Sequence, residues 1–247
     1  MSRRIAVITG GLGGLGTAFC RHLARQGCSV IAADIRNSER AEEWRKAMAD
    51  LPGDHEFRAL DVTDYDACEA LVSDISSGNG GVDILVNGAG ITRDVTMKKM
   101  APEQWRDVLT VNLDGAFHMA RSVVPGMTER GFGRIINISS VNGQTGQFGQ
   151  TNYSAAKAGM HGMTMALARE VAKKGVTVNS ISPGYCETQL VMKIPEPIRD
   201  KIVASVPVGR LGSPDEIARV VAFLAHDDSG YITGANIPVN GGYFMSF

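Results

Sequence analysis

The stretch Ile5-Ala-Val-Ile-Thr-Gly-Gly-Leu-Gly-Gly-Leu-Gly16 decides the fold of this chain of 247 residues. Its first four residues form a short apolar run that favours a β-strand, and apolar residues such as Phe19 and Leu23 then follow at helical spacing from Leu15 to Gln26. The glycines between them allow positive φ angles and the close approach of a ligand. The stretch therefore predicts a strand, a tight turn and a helix whose N-terminal amides can receive a pyrophosphate.

The same alternation continues along the chain. Further strands are predicted at Ser29–Ala33, Glu56–Leu60, Val82–Val86, Arg134–Ile138, Val176–Ile181 and about Asn236–Val239. Helices are predicted at Glu39–Ala49, Tyr65–Ile75, Pro102–Met127, about Asn152–Ala172 and about Pro214–Leu224. Strands such as Ile84-Leu85-Val86 are apolar on both faces, which indicates helices on both sides of the sheet. We expect an α/β Rossmann fold with a doubly wound, seven-stranded parallel sheet.

One domain is expected over residues 1–247, because α/β cores of roughly this length commonly form a single unit. Prolines at positions 183, 195, 197 and 207 interrupt the pattern after the sixth strand. We interpret about 185–213 as a substrate lid that contains short helices.

Composition and charge restrict the function. Hydrophobic residues make up 44% of the chain and its net charge is −1, so a large core is expected and a basic surface for nucleic acid or an anionic membrane is not. The four cysteines lack pairing or metal-ligand spacing, which favours a reduced cytosol and no metal site. The apolar run after Met1-Ser2-Arg3-Arg4 is too short for a signal peptide, and no segment approaches the roughly 20 apolar residues that cross a bilayer. We expect a cytoplasmic protein.

The glycine turn is the first candidate for cofactor binding. It reads either as the general G-x-G-x-x-G or, from Gly10, as G-x-x-x-G-x-G, and the sequence leaves open which glycines touch a ligand. The candidate residues are Gly10, Gly13, Gly14, Leu15 and Gly16.

Asp34 ends the second predicted strand, eighteen positions after Gly16, where an acid commonly accepts hydrogen bonds from the adenosine ribose. Its charge would repel a 2′-phosphate, so NAD(H) is favoured. NADP(H) stays possible because Arg36 or Arg40 can reach such a phosphate, and Asp34 can also be an ordinary residue of the helix entry.

Two further loops follow strands at the edge where open α/β sheets bind ligands. Asp61-Val62 follows the third strand, and Asp61 can accept from adenine, open a turn or cap the next helix. Asn87 and the following Ala89 and Gly90 come after the fourth strand, where Asn87 is expected to brace the sheet.

Tyr153 and Lys157 are four residues apart, so a helix places them on one face. A nearby ammonium stabilises a phenolate and lowers the pKa of a tyrosine from about 10. Ser140 lies thirteen residues before Tyr153 at the end of the fifth strand. The sequence thus predicts that a hydroxyl, a phenol and an ammonium converge.

With its glycine-rich turn, Asn87-Gly-Ala-Gly90, and Ser140 followed by Tyr153-x-x-x-Lys157, the chain resembles the short-chain dehydrogenase/reductase family. The resemblance implies that Tyr153 is the general acid/base, that Lys157 lowers its pKa and holds the nicotinamide ribose, and that Ser140 orients the carbonyl. Asn112 matches the family's asparagine of a water-linked proton relay, and it can also be a helix-kink residue. Pro183 and Gly184 are further cofactor contacts by the same resemblance.

Within that family, Gly90–Asp94, the loop from Ser140 to Tyr153 and Met160–Met165 resemble acetoacetyl-CoA reductases of polyhydroxybutyrate biosynthesis. This resemblance implies an (R)-3-hydroxyacyl-CoA product. Contacts to the substrate are expected from Ser140, Gln147, Phe148, Gln150 and Tyr185, although glutamines in such a loop can also be solvated filler. The candidate cationic partners for CoA are Arg93, Lys98 or Lys99.

Two other functions stay open at this point. A 3-oxoacyl-[acyl-carrier-protein] reductase would share much of the pattern, and a dinucleotide-binding sensor without catalysis would share the fold. The family resemblance also implies a homotetramer, assembled through the helices that carry Asn112 and Tyr153 and the strand near Asn236–Val239. The apolar tail with Phe244, Met245 and Phe247 is expected at a subunit contact.

Overall fold

The computed structural model describes residues 3–245. Seven strands form one sheet in which all neighbours are parallel, in the order β3-β2-β1-β4-β5-β6-β7. The strands are β1 Ile5–Thr9, β2 Ser29–Asp34, β3 His55–Ala59, β4 Ile84–Asn87, β5 Gly133–Ile138, β6 Val176–Pro183 and β7 Asn236–Val239. The predicted doubly wound Rossmann fold is confirmed.

Ten α-helices connect or flank these strands in the described part of the chain. They are α1 Gly14–Arg25, α2 Ser38–Met48, α3 Tyr65–Asn79, α4 Pro102–Leu109, α5 Gly115–Arg130, α6 Asn142–Thr145, α7 Thr151–Val171, α8 Gln189–Met192, α9 Glu196–Ser205 and α10 Pro214–Ala225. The helices α8 and α9 occupy the segment interpreted as a lid; its movement stays a prediction.

The sheet has a buried apolar layer on each face because successive side chains of a strand point to opposite sides. In β1, Ala6 and Ile8 pack into the layer under α1, α2 and α10, which also holds Phe19. Ile5 and Val7 point the other way, into the layer that includes Met119 of α5. Burial on both faces explains why the strands read as continuous apolar runs.

The winding of the sheet reverses between β1 and β4, so the loops after these two strands border a crevice. Gly10 in the first loop has φ +67°, and a Cβ added there would lie 2.8 Å from the Gly88 carbonyl oxygen in the second. Thr9 links the loops further, since its Oγ1 accepts from the amides of Gly88 and Ala89 at 3.1 and 3.2 Å. This crevice positions the candidate site.

The long helix predicted at Pro102–Met127 is divided by one π-helical turn, Thr110–Asp114. Asn112 lies in this turn, fully buried, and its side chain both accepts from the Ile91 amide at 2.7 Å and donates to the Ile91 carbonyl at 3.0 Å. The wider turn brings the amide side chain to the backbone after β4. Such turns frequently occur at functional sites, and this one interrupts the regular helix at Asn112.

At the C-terminus, Phe244 is half-buried and Met245 is exposed, while Phe247 lies outside the described residues, as do Met1 and Ser2. Among residues 3–245 no helix combines the length and apolar character needed to cross a membrane. The same residues contain no group of three or more His, Cys, Asp or Glu side chains placed to hold a metal ion.

Candidate active site

The glycine turn forms an open cradle at the N-terminus of α1. Gly13 is the N-cap and has no side chain to bond the first amides, so those of Gly14, Leu15 and Gly16 point out of the helix end. A Cβ at Gly16 would overlap the Gly10 carbonyl oxygen, so both glycines shape the turn itself. At Gly14 a Cβ would meet only the Thr188 side chain, 3.8 Å away. The cradle has the amide donors that fit a pyrophosphate.

Asp34 is joined to this cradle at the end of β2. Its Oδ2 accepts from the Leu12 amide at 3.1 Å and its Oδ1 from the Ile35 amide at 2.9 Å. The exposed Arg40 reaches the same place, because Nη2 donates to the Leu12 carbonyl at 2.8 Å. The Asp34 carboxylate and the Arg40 guanidinium are therefore both held at the Leu12 backbone, where an adenosine ribose would lie. Asp34 suits the ribose hydroxyls of NAD(H), and Arg40 suits the 2′-phosphate of NADP(H).

Asn87 and Asp61 act on their own surroundings. Buried Asn87 donates to Asn137 Oδ1 at 2.9 Å and to the Ala116 carbonyl at 3.3 Å, which fits the expected bracing of the sheet. Exposed Asp61 opens a turn by accepting from the amide and hydroxyl of Thr63 at 2.9 and 2.8 Å. The alternative in which Asp61 caps α3 is wrong, because Asp64, three residues later, is the N-cap.

Val62 follows Asp61 into the structure's interior. Its side chain is 7% exposed and fills the space beside Gly115, at the start of α5. The Val62 carbonyl is in contact with a ring nitrogen of His118 at 2.8 Å. The Val62 side chain is thus used for packing, and its contact with a cofactor stays a prediction.

The end of β5 and helix α7 bring the predicted catalytic residues together. Ser139 Oγ donates to the Lys157 carbonyl at 2.8 Å, which joins the helix to the strand end. Lys157 is 3% exposed, and its Nζ donates to the Ile138 carbonyl at 2.7 Å and lies 5.6 Å from the centre of the Tyr153 ring. Ser140 and Tyr153 line one cavity.

The electrostatics of this cluster differ from the sequence expectation. Burial raises the pKa of Tyr153, a hydrogen bond with Ser140 counteracts this in part, and the negative charge of Asp94 raises the pKa further. Burial also lowers the pKa of Lys157 to about 8. The sequence predicted a lowered pKa for Tyr153, whereas the pKa is raised, because burial is the largest cause and Lys157 Nζ is directed to the Ile138 carbonyl.

The cavity lined by Ser140 and Tyr153 has a volume of about 250 Å³. Its wall contains polar side chains of Thr92, Asp94, Asn142 and Gln150, with Tyr185, Val141, Val191, Ile194 and Gly184 also lining it. Such a concave space with few convergent polar groups is typical of a small-molecule site.

Comparison with known proteins agrees with this geometry. The model of a family described as enoyl-(acyl carrier protein) reductase, one of the short-chain dehydrogenases/reductases, matches residues 10–244. The chain belongs to the short-chain dehydrogenase/reductase family. It is therefore an oxidoreductase of a family that uses a nicotinamide dinucleotide.

Relatives cover nearly the whole chain. An acetoacetyl-CoA reductase of Allochromatium vinosum is 56% identical over 98% of this chain and 99% of its own length. One of Cupriavidus necator is 51% identical over 99% and 100%. A 3-oxoacyl-[acyl-carrier-protein] reductase of Haemophilus influenzae is 42% identical over the full length of both chains.

In this short-chain dehydrogenase/reductase, Asn112 and Lys157 converge on Gly90. A Cβ at Gly90 would lie 3.2 Å from Asn112 Oδ1 and 3.6 Å from Lys157 Nζ. The π-helical turn, the loop after β4 and helix α7 thus meet at one point. Gly184 lies opposite, after Pro183, where its amide donates to the Val239 carbonyl at 3.0 Å.

The candidate substrate residues are only partly brought together. Gln150 and Tyr185 line the cavity, but Gln147 is exposed and Phe148 is 87% exposed, so these two point away from it. Gln150 is also not free, since it donates to Asp94 and accepts from Asn142, both at 2.8 Å. Gln147 and Phe148 lie between Gly146 and Gly149, both at positive φ, and their contacts to a substrate stay a prediction.

The cations considered for CoA lie beside the cavity, not in its wall. Arg93 is exposed and pairs with Asp107 at 3.5 Å, while Lys98 and Lys99 are exposed in a short 3₁₀ turn. The loop that carries them is joined to the catalytic loop, because the Val95 amide donates to the Gly149 carbonyl at 2.8 Å.

Sequence reasoning missed Asp94, Asn142, Val191 and Ile194, which line the cavity. Asp94 stood within a stretch singled out for its resemblance, yet its partner Gln150 is 56 positions away. The feature that could have identified Asp94 was its charge in the loop that follows the fourth strand. His161, on the same helix as Tyr153, is half-buried, with Nε2 in contact with Ser182 Oγ at 3.2 Å.

Proposed function

We propose that this chain is an acetoacetyl-CoA reductase, which converts the 3-keto group of a short 3-oxoacyl-CoA into the (R)-3-hydroxy group. One observation carries the proposal: Ser140 and Tyr153 line a cavity of about 250 Å³, and the buried Lys157 lies with its Nζ 5.6 Å from the centre of the Tyr153 ring. The names of the relatives at 51% and 56% identity support the substrate class. Polyhydroxybutyrate biosynthesis is the pathway that the sequence resemblance implies.

A nicotinamide dinucleotide, when bound, supplies the hydride for the keto carbon. Gly10, Gly13, Gly14, Leu15 and Gly16 would hold its pyrophosphate, and Asp61, Val62, Asn87, Ala89, Gly90, Pro183 and Gly184 would border the rest. The cradle at the N-terminus of α1 supports this assignment, because its outward amides match an anion.

Tyr153 gives its hydroxyl proton to the substrate oxygen, and Ser140 donates a hydrogen bond that orients that oxygen. A raised pKa keeps the phenol protonated at neutral pH, which suits the reduction of a ketone. Lys157 holds the nicotinamide ribose, and Asn112 supports a water that returns a proton toward Tyr153. Their convergence on Gly90 favours such a relay.

NADH is the proposed cofactor, with NADPH as the alternative. The Asp34 carboxylate accepts from the Leu12 amide and stands where ribose hydroxyls would donate. Arg40 is the observation that keeps NADPH open, since its guanidinium lies on the Leu12 carbonyl.

Initial rates with acetoacetyl-CoA, measured with NADH and NADPH in parallel, test this proposal. A parallel assay with the same acyl group on an acyl-carrier protein distinguishes this activity from that of a carrier-protein reductase, the alternative that the name of the Haemophilus influenzae relative supports. We expect kcat/KM to be highest for the CoA thioester with NADH. Absence of turnover across a panel of 3-oxoacyl substrates would contradict the proposal and favour a dinucleotide-binding sensor without catalysis.

The proposal extends to a homotetramer in the cytoplasm. Half-exposed apolar side chains on three helices support subunit contacts: Phe117 on α5, Met165 on α7 and Phe223 on α10. Four buried, unpaired cysteines suit a reducing compartment. Sedimentation equilibrium of the purified chain tests the assembly, and a monomer at micromolar concentration would contradict it.

A further inference from the structure

Tyr185 stands between two cavities. The reaction cavity of about 250 Å³ and a second cavity of about 110 Å³ share Gly184 and Tyr185 in their walls. The second cavity lies between the base of the lid segment and the C-terminal turn. Apart from Gly184, the residues assigned to the dinucleotide do not line it.

The second cavity suits hydrocarbon. Its apolar side chains are Val206, Val208, Ile217 and Val239. Its charged residues neutralise each other, because Arg210 donates to both carboxylate oxygens of Glu216 at 2.7 and 2.8 Å. Since this pair satisfies its own hydrogen bonds, an apolar occupant leaves no charge unpaired.

Asn240, another polar side chain of this cavity, is also hydrogen-bonded. It accepts from the Gly242 amide at 3.0 Å and donates to the Phe244 carbonyl at 2.9 Å. These bonds close the C-terminal turn, in which Gly241 has φ +62° and accepts from the Val208 amide at 3.1 Å. The turn thus places Tyr243 at a fixed position.

Tyr243 holds Tyr185 in the partition. The two rings meet edge to face, with centres 5.7 Å apart and planes at 78°, a geometry that aromatic pairs prefer. Tyr185 is half-buried between this contact and the reaction cavity. Without the Tyr243 ring, the Tyr185 side chain gains room to turn out of the wall.

The wall of the reaction cavity carries two kinds of side chain. Asp94, Asn142 and Gln150, joined by hydrogen bonds, are polar and suit the thioester and the pantetheine amides. Tyr185, Val191 and Ile194 offer apolar surface that suits the methyl end of the acyl group. The two cavities share only Gly184 and Tyr185 in their walls, so an acyl chain that extends into the second cavity passes Tyr185.

We propose that Tyr243 is a positioning residue that determines acyl-chain length: it holds Tyr185 as a partition, and the second cavity receives the end of a longer 3-oxoacyl chain once that partition yields. The inference rests on the proposed 3-oxoacyl-CoA reduction. Its ligand is the saturated hydrocarbon end of a 3-oxoacyl thioester.

The test compares kcat/KM for acetoacetyl-CoA and 3-oxohexanoyl-CoA in the wild type and in Tyr243→Ala. Each methylene newly buried corresponds to about fourfold, so the ratio for the longer over the shorter substrate is expected to rise about fifteenfold. The gain appears mainly in KM, because the chain end is buried alike in the ground state and the transition state. Adding Val206→Ile to this variant narrows the second cavity and reduces the gain.

Controls separate position from general loosening. Tyr243→Phe keeps the edge-to-face ring contact and loses only the hydroxyl, so its ratio is expected to rise much less than in Tyr243→Ala. Tyr231→Ala removes a fully exposed tyrosine and is expected to keep the wild-type ratio. If Tyr243→Ala does not fold, Tyr243→Leu makes the same comparison. An unchanged ratio in a folded variant that still reduces acetoacetyl-CoA overturns this inference alone, as does an equal rise in Tyr231→Ala. Failure of the wild type to reduce any 3-oxoacyl-CoA overturns the proposed function, and this inference with it.

Discussion

Replacing Asp34 by serine is expected to turn the preference from NADH toward NADPH. The carboxylate is fixed at the glycine turn by the Leu12 amide, 3.1 Å from Oδ2, so it cannot easily withdraw from a nucleotide bound there. Hydrogen bonds from ribose hydroxyls to a charged group contribute roughly 1.5–3 kcal/mol. Their loss lowers kcat/KM for NADH by about tenfold or more.

The gain for NADPH follows from charge. Two unit charges about 4 Å apart near a protein surface repel by about 4 kcal/mol. Salt and the nearby guanidinium of Arg40 screen this repulsion to about 2 kcal/mol. Its removal is expected to raise kcat/KM for NADPH about thirtyfold. The ratio of the two kcat/KM values therefore changes by about 300-fold.

The assay is the initial rate of reduction of acetoacetyl-CoA, followed by dinucleotide absorbance, at fixed ionic strength. Asp34→Asn keeps an acceptor for the Leu12 amide without the charge, so it isolates the electrostatic part. Arg40→Ala in the Asp34→Ser background is expected to lower the new NADPH activity. A cofactor ratio that stays within twofold of the wild type in Asp34→Ser would refute the reasoning.

Three further changes test the surroundings of the site. Asp94→Asn removes a charge that raises the pKa of Tyr153, so the alkaline decline of kcat/KM for reduction is expected to begin at lower pH; a profile that does not move contradicts this coupling. Arg210 lowers the pKa of Glu216 from 4.5 to about 2, so the ion pair stabilises the fold fully above pH 4.5 and less as the pH falls toward 2. The difference in urea midpoint between the wild type and Glu216→Gln is expected to shrink over the same pH range. A difference that stays constant argues against the ion pair. Gly16→Ala places a methyl group onto the backbone of the glycine turn and is expected to cost about 1–3 kcal/mol of unfolding free energy and most dinucleotide affinity, which thermal shifts with and without NADH detect.

The sheet was predictable because its signal is local. Apolar runs such as Ile84-Leu85-Val86, followed by helical spacing, carry the strand–helix alternation within a few residues. The end of each strand then fixes which loops meet at the sheet edge, and this placed Ser140, Tyr153 and Lys157 in one cluster without knowledge of any contact.

What the sequence did not reveal depends on tertiary contacts. The π-helical turn at Thr110–Asp114 accompanies a bond between Asn112 and a backbone 21 positions away, and the periodicity of the flanking helices conceals it. The Asp94–Gln150 bond joins two loops that are distant in sequence. The direction of the Tyr153 pKa shift was wrong for the same reason, since spacing gives the neighbour but not the burial.

Tyr153→Phe tests the central claim most directly, because it removes one oxygen from the cluster and leaves the ring. Reduction of acetoacetyl-CoA is expected to fall by at least a thousandfold in kcat, within the range of general acid catalysis combined with the loss of substrate orientation. The affinity for NADH, measured by fluorescence titration, is expected to change by less than threefold. A variant that binds NADH normally and retains more than a tenth of the wild-type kcat would contradict the assignment of Tyr153 as the proton donor.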